Sequence, residues 1–140
     1  MSLYLDTSVL VSWLVPDTNS AQADALLANE TQLIVSDLTM AEVANALIRR
    51  RKQGRYSAAV VMQVMKKLDT YVDAGYVLVE PLPRSVFIEA RLLAERVPGH
   101  LRTGDALHLV MAKRLNLPVA TFDVGMRAAV IADGIAVRPE

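Results

Sequence analysis

The chain contains no cysteine. That excludes disulfides, zinc–thiolate sites and a thiol nucleophile, and it fits a reducing compartment. Lys+Arg and Asp+Glu number 15 each, so there is no net charge. Bulk charge therefore announces no nucleic-acid partner, and any basic surface has to be local. No apolar stretch reaches the roughly 18 uncharged residues of a membrane span. The start, Met1-Ser2-Leu3-Tyr4-Leu5-Asp6, lacks the basic and long apolar regions of a signal peptide. A cytoplasmic protein without membrane contact is the expectation. Linkers, repeats and low-complexity segments are also missing. What is present is the content of one domain over residues 1–140: the chain is 53% hydrophobic and 21% charged, enough to bury a sizeable core.

Short β-rich runs alternate with longer helical patterns. Strands are expected at 3–6, 33–36, 77–79, 119–121 and 135–137. Helices are expected at 8–14, 20–29, 39–53, 57–72, 85–97, 103–115 and 126–132. The helix at 39–53 is the clearest: Met40, Val43, Ala44, Leu47 and Ile48 repeat at helical spacing, and Gly54 ends it. Strands alternating with helices predict an α/β fold whose sheet is mainly parallel.

Four acids occupy similar places in this pattern: Asp6, Glu42, Asp105 and Asp123. Each has an ordinary explanation. Asp6 fits a helix cap. Glu42 fits the last position of a capping box begun by Thr39. Asp105 fits the first turn of a helix, where the dipole favours an acid. Asp123 fits a turn. Together, however, all four stand at a strand's end or near a helix's start. In an alternating α/β chain those places share the ligand-binding edge of the sheet. Acids gathered there would repel one another unless a cation held them, and hard divalent ions take oxygen ligands. His108 lies three residues beyond Asp105, on the same helical face; a packed or hydrogen-bonded surface histidine is its expected state.

The segments that carry these acids are Leu5-Asp6-Thr7-Ser8, Leu38-Thr39-Met40-Ala41-Glu42-Val43-Ala44-Asn45-Ala46-Leu47, Arg102-Thr103-Gly104-Asp105-Ala106-Leu107-His108-Leu109 and Ala120-Thr121-Phe122-Asp123. In this order they resemble the PIN domains, and among these the VapC toxins of toxin–antitoxin pairs. The resemblance covers essentially the whole chain. It implies a PIN-like α/β/α sandwich and a Mg²⁺- or Mn²⁺-dependent endoribonuclease. It further implies that Asp6, Glu42, Asp105 and Asp123 are the metal-binding, catalytic acids. Asp6 and Asp105 are the first choice as direct ligands; Glu42 and Asp123 bind directly, through water, or from an outer shell. Ser8, Asn45 and Thr121 are candidate orienting groups. RNA as substrate, a cognate antitoxin and a homodimer follow from the same resemblance. With only His100 and His108 in the chain, a histidine pair for metal-free RNA cleavage is lacking.

Two surface features stand outside the acids. Arg49-Arg50-Arg51-Lys52 with Arg55 is the dense basic cluster. It suits a helix C-terminus, but Arg49, Arg50 and Lys52 are also candidates for contact with RNA or antitoxin, as is Arg102. The helix at 57–72 is apolar on more than one face, which fits either core or a partner surface. Two rival readings compete with the nuclease. A receiver-like phosphoacceptor would need a Lys from a late strand, and the last strands carry none. A catalytically silent PIN-type module, binding RNA or protein, would not need all four acids. A nuclease with a housekeeping role stays open beside a toxin.

Overall fold

In the computed structural model, which describes residues 2–140, five parallel strands are flanked by seven helices. The strands are β1 (Ser2–Leu5), β2 (Gln32–Ser36), β3 (Val77–Glu80), β4 (Val119–Ala120) and β5 (Val137–Arg138). The helices are α1 (Thr7–Leu14), α2 (Ser20–Leu27), α3 (Asp37–Lys52), α4 (Ala58–Asp73), α5 (Arg84–Arg96), α6 (Thr103–Leu115) and α7 (Val124–Ala132). The expected elements all form, with boundaries moved by one or two residues at most ends.

Alternation along the strands sorts the core into two layers. Leu3, Leu5, Leu33 and Val35 pack with Val9 and Leu10 of α1, Val43 and Leu47 of α3, and Val64 and Leu68 of α4. Tyr4, Ile34, Val119 and Val137 point the other way, toward α5, α6 and α7. A sheet covered on both faces needs strands that are apolar throughout, which is what Leu3-Tyr4-Leu5 and Leu33-Ile34-Val35 supply. Helix α6 is buried from Ala106 to Ala112, as expected of a helix that is apolar on nearly all sides.

The strand order is β3-β2-β1-β4-β5. The chain builds outward from β1 on one side through β2 and β3, and on the other through β4 and β5. The crevice between the carboxyl ends of β1 and β4 is thus the switch point where open parallel sheets bind ligands. Asp6 directly follows β1, and Thr121 directly follows β4.

One local expectation is corrected. Helix α3 starts at Asp37 rather than 39, because Ser36 is its cap. Ser36 Oγ accepts from the Thr39 backbone N–H at 3.4 Å, and Thr39 Oγ1 accepts from the Ser36 N–H at 3.1 Å. Thr39 therefore closes the capping box instead of opening it, and Glu42 is released from any capping duty. The α3 core stripe also shifts: Val43, Ala46 and Leu47 are buried, whereas Ile48 faces outward.

Candidate active site

All four acids line one open cleft of ≈ 440 Å³ at the carboxyl edge of the sheet. They arrive from four elements and from both helical layers, Glu42 on α3 and Asp105 on α6.

Asp6 caps α1 by position, yet its side chain makes no capping bond. Instead Asp6 Oδ2 accepts hydrogen bonds from Thr121 Oγ1 at 2.7 Å and Ser8 Oγ at 3.1 Å. Two of the expected orienting residues thus fix this carboxylate. Asp123 does both jobs. Its Oδ1 accepts from the Met126 N–H at 2.8 Å, capping α7, and its Oδ2 accepts from Arg102 Nη2 at 3.0 Å. Arg102 also donates through Nε to Asp105 Oδ2 at 3.3 Å. One guanidinium therefore bridges two of the acids, while its side chain stays 68% exposed.

Glu42 is held by groups that the sequence does not advertise. Its Oε1 accepts from Thr7 Oγ1 at 2.8 Å and lies 2.5 Å from His108 Nε2. His108 is not a surface residue: it is buried to 1% exposure, and its Nδ1 meets the Tyr4 hydroxyl at 2.8 Å. His108 Nε2 also lies 3.9 Å from Asp6 Oδ1. A Cβ placed on Gly104 would come within 3.1 Å of Glu42 Oε2, so glycine leaves the second carboxylate oxygen its room. The signals for these supporting residues were faint: His108 follows Asp105 at helical spacing, and Tyr4 is the polar-tipped residue of an apolar strand.

The environments push the carboxyl groups apart. Burial raises the Asp105 pKa most, the nearby Asp6 and Asp123 charges add to it, Arg102 opposes, and the net shift is upward. Desolvation rather than like-charge repulsion is the main cause. For Glu42, burial also acts upward, but bonds from His108 and Thr7 and the charges of His108 and Arg102 outweigh it, so its pKa is lowered. Burial pushes the Tyr4 hydroxyl up to about 12.

Helix α3 carries a polar stripe into the cleft: Glu42, Asn45, Arg49 and Arg50 all line it. Arg50 Nη1 is buried without a hydrogen-bond partner among the described residues. Lys52, grouped with these arginines from sequence, is exposed and lies outside the cleft lining.

The donor set is made of hard carboxylate oxygens, the type that Mg²⁺ and Mn²⁺ take. Among the described residues, no three acid or imidazole side chains are already gathered closely enough to hold an ion. Arg102 is the cation between Asp105 and Asp123 instead, on a side chain that is 68% exposed. The residues fit a divalent ion on this basis.

The PIN domain family profile matches residues 3–131. No curated protein matches the chain by sequence. Among solved structures, VapC20 of Mycobacterium tuberculosis, a sarcin–ricin loop cleaving toxin, superposes with a TM-score of 0.73 at 17% identity, covering 91% of this chain and 94% of its own. FitAcB from Neisseria gonorrhoeae gives 0.64 at 22% identity, covering 98% of this chain and 96% of its own. VapBC2 from Rickettsia felis, bound to a DNA fragment from the promoter, gives 0.68 at 15% identity, covering 99% and 98%. At these identities the likeness is one of fold.

Proposed function

Because the chain belongs to the PIN domain family, we propose that it is a Mg²⁺- or Mn²⁺-dependent endoribonuclease, acting as the toxin of a toxin–antitoxin pair. The observation that carries this reading is the convergence of Asp6, Glu42, Asp105 and Asp123 on one cleft at the switch point of the sheet. Asp6 and Asp105 are the direct ligands; Glu42 and Asp123 complete the set directly or through water.

When bound, the divalent ion shields the phosphodiester and lowers the pKa of water. The protein's own part is preorganisation. Ser8 and Thr121 hold Asp6, Thr7 holds Glu42, and the Met126 N–H holds Asp123. These bonds limit the freedom of the three carboxylates, which still have to close on the ion together with Asp105. The cleft lining sets four carboxylates against three guanidinium groups, those of Arg49, Arg50 and Arg102. A divalent ion turns that balance positive, which an anionic strand requires. Purified protein incubated with bulk RNA tests the reading: cleavage in Mg²⁺ or Mn²⁺ that EDTA stops is expected. RNA binding without cleavage would favour a silent module.

Arg102 has two tasks in this reading. It neutralises Asp105 and Asp123 before the ion arrives, then turns to a phosphate. Arg102→Ala should therefore bind Mn²⁺ a few-fold more tightly, the size of one or two exposed ion pairs, while its KM for RNA rises. Calorimetry and steady-state cleavage check both. Weaker Mn²⁺ binding would show that the guanidinium supports the site rather than competing for it.

Arg49 and Arg50 form the entrance for the strand. Removing a cation that neutralises one phosphate should flatten the logarithmic salt dependence of RNA binding by about 0.7. The double variant Arg49→Ala/Arg50→Ala should thus bind RNA more weakly across sequences and less steeply with salt, with metal affinity little changed. Filter binding at several salt concentrations measures this, and an unchanged slope would return the pair to a solvated helix end. Lys52 stands further out and is assigned to antitoxin contact.

Helix α4 supports the expected partners. Val64 and Leu68 are buried, but Val60 is exposed and Met62 is 70% exposed. These exposed apolar side chains are proposed to meet the antitoxin or a second copy. Helix α5, which sequence reading did not single out, exposes Phe87, Ile88 and Leu92. Sedimentation should show a dimer. Met62→Glu should weaken self-association or antitoxin capture with little loss of thermal stability, since Met62 lies outside the core. A monomer that captures antitoxin equally well with Met62→Glu would remove α4 from both roles.

A further inference from the structure

Buried beneath the acids lies a chain of hydrogen bonds that joins the middle of the sheet to the cleft. Thr39 Oγ1 lies 3.3 Å from Ser36 Oγ, which lies 3.0 Å from the Tyr4 hydroxyl, which lies 2.8 Å from His108 Nδ1. His108 Nε2 then faces Glu42 Oε1. Tyr4, Ser36 and His108 are buried to 1% exposure or less. Buried polar groups of this kind persist when every donor and acceptor is matched.

Matching them determines where the key proton sits. An ionised carboxylate only accepts hydrogen bonds, so the nitrogen facing Glu42 has to carry a proton. The Tyr4 hydroxyl has one hydrogen and two partners. It donates to Ser36 Oγ and lies 2.8 Å from His108 Nδ1. That leaves His108 Nε2–H directed at Glu42. The Thr7 hydroxyl donates to the same carboxylate oxygen. Glu42 Oε1 is thus occupied twice by the protein, whereas Oε2 lies beside the bare Gly104.

We infer that Tyr4 and His108 are positioning residues that fix Glu42 by one oxygen and leave the other for the divalent ion or its water. This rests on the metal-dependent reading above. Tyr4 orients the imidazole, and His108 reaches the ion only through Glu42. Partners of metal ligands at this remove usually change affinity or activity by about 10–100-fold.

Two experiments test it. In the unmodified, metal-free protein, long-range ¹H–¹⁵N correlation at neutral pH should show His108 protonated at Nε2, and still so after Mg²⁺ is added. A proton on Nδ1 alone, or disappearance of the Nε2 proton on adding Mg²⁺, would overturn the inference; the latter would make His108 a ligand. Calorimetric Mn²⁺ titration should then show affinity reduced about tenfold or more for His108→Leu, reduced less for Tyr4→Phe, and recovered in His108→Gln, whose amide restores a donor. Unchanged affinity in His108→Leu, or equal reductions in the Leu and Gln variants, would reduce His108 to packing. Absence of RNA cleavage with these results intact would count against the nuclease reading and leave the positioning role standing.

Discussion

Asp105→Asn should cut metal-dependent RNA cleavage by at least about a hundredfold, beyond what outer partners of a ligand cost, and yet raise the melting temperature of the metal-free protein. The two effects share one cause. Burial makes the charged form of Asp105 unfavourable and lifts its pKa, so at neutral pH the folded chain carries a penalty that an amide removes. The sign follows from linkage. An acid whose folded pKa is raised binds its proton more tightly in the folded state, so stability falls as pH rises from the ordinary carboxylate range through the raised value. The advantage of Asp105→Asn should therefore be full at neutral pH and shrink on acidification toward about pH 4, the ordinary Asp value. Melting in EDTA across that range measures it. Added Mg²⁺ should stabilise the unmodified chain by mass action and the variant far less. A variant that melts lower than the unmodified chain in EDTA, or that still cleaves, would remove Asp105 from the assigned site.

Glu42→Gln should lose cleavage on the same scale but shift stability the opposite way. The bonds from His108 and Thr7 outweigh burial and favour the Glu42 carboxylate. Its stabilising contribution is present above the unfolded-state pKa and is lost as pH falls through the lowered folded value. Neutralising it should cost about 1 kcal/mol at neutral pH, below the usual range for hydrogen bonds to charged groups because the side chain is 38% exposed. The deficit should close in acid. Two acids in one cleft would then show opposite signs in one melting series, a pattern that generic damage to the fold does not produce. A stabilised Glu42→Gln protein in EDTA would contradict the role given to His108 and Thr7.

The sequence placed the four acids well because strand ends and helix starts are readable from periodicity and turn residues. Asp6 after Leu3-Tyr4-Leu5 and Asp123 after Thr121-Phe122 needed nothing more. Glu42 was placed correctly beside a mistaken cap: Ser36, at the end of β2, takes the role that Thr39 seemed to offer, since the helix gains two residues when the strand delivers its own serine. His108 was harder. Its spacing from Asp105 was visible, but its burial depends on α6 being enclosed by α5, α7 and the sheet, and enclosure is a tertiary fact. Tyr4 read as one more apolar strand residue because its hydroxyl partners lie 32 and 104 positions away. Arg102 looked like a free phosphate contact; its bridge to Asp105 and Asp123 depends on the α6 and α7 starts meeting across the cleft. Lys52 was grouped with Arg49 and Arg50 by adjacency, but it is the last residue of α3 and lies outside the cleft lining.

The most direct measurement is anomalous diffraction from crystals of the unmodified protein grown with Mn²⁺. The expected result is a manganese peak within the cleft, bound by Asp6 and Asp105 at oxygen-ligand distances, with Glu42 and Asp123 at the same ion or its waters and Arg102 withdrawn from Asp105. A peak elsewhere on the molecule, or a manganese-free cleft with Arg102 still joining Asp105 to Asp123 at saturating Mn²⁺, would contradict the claim that these four acids form a divalent-metal site.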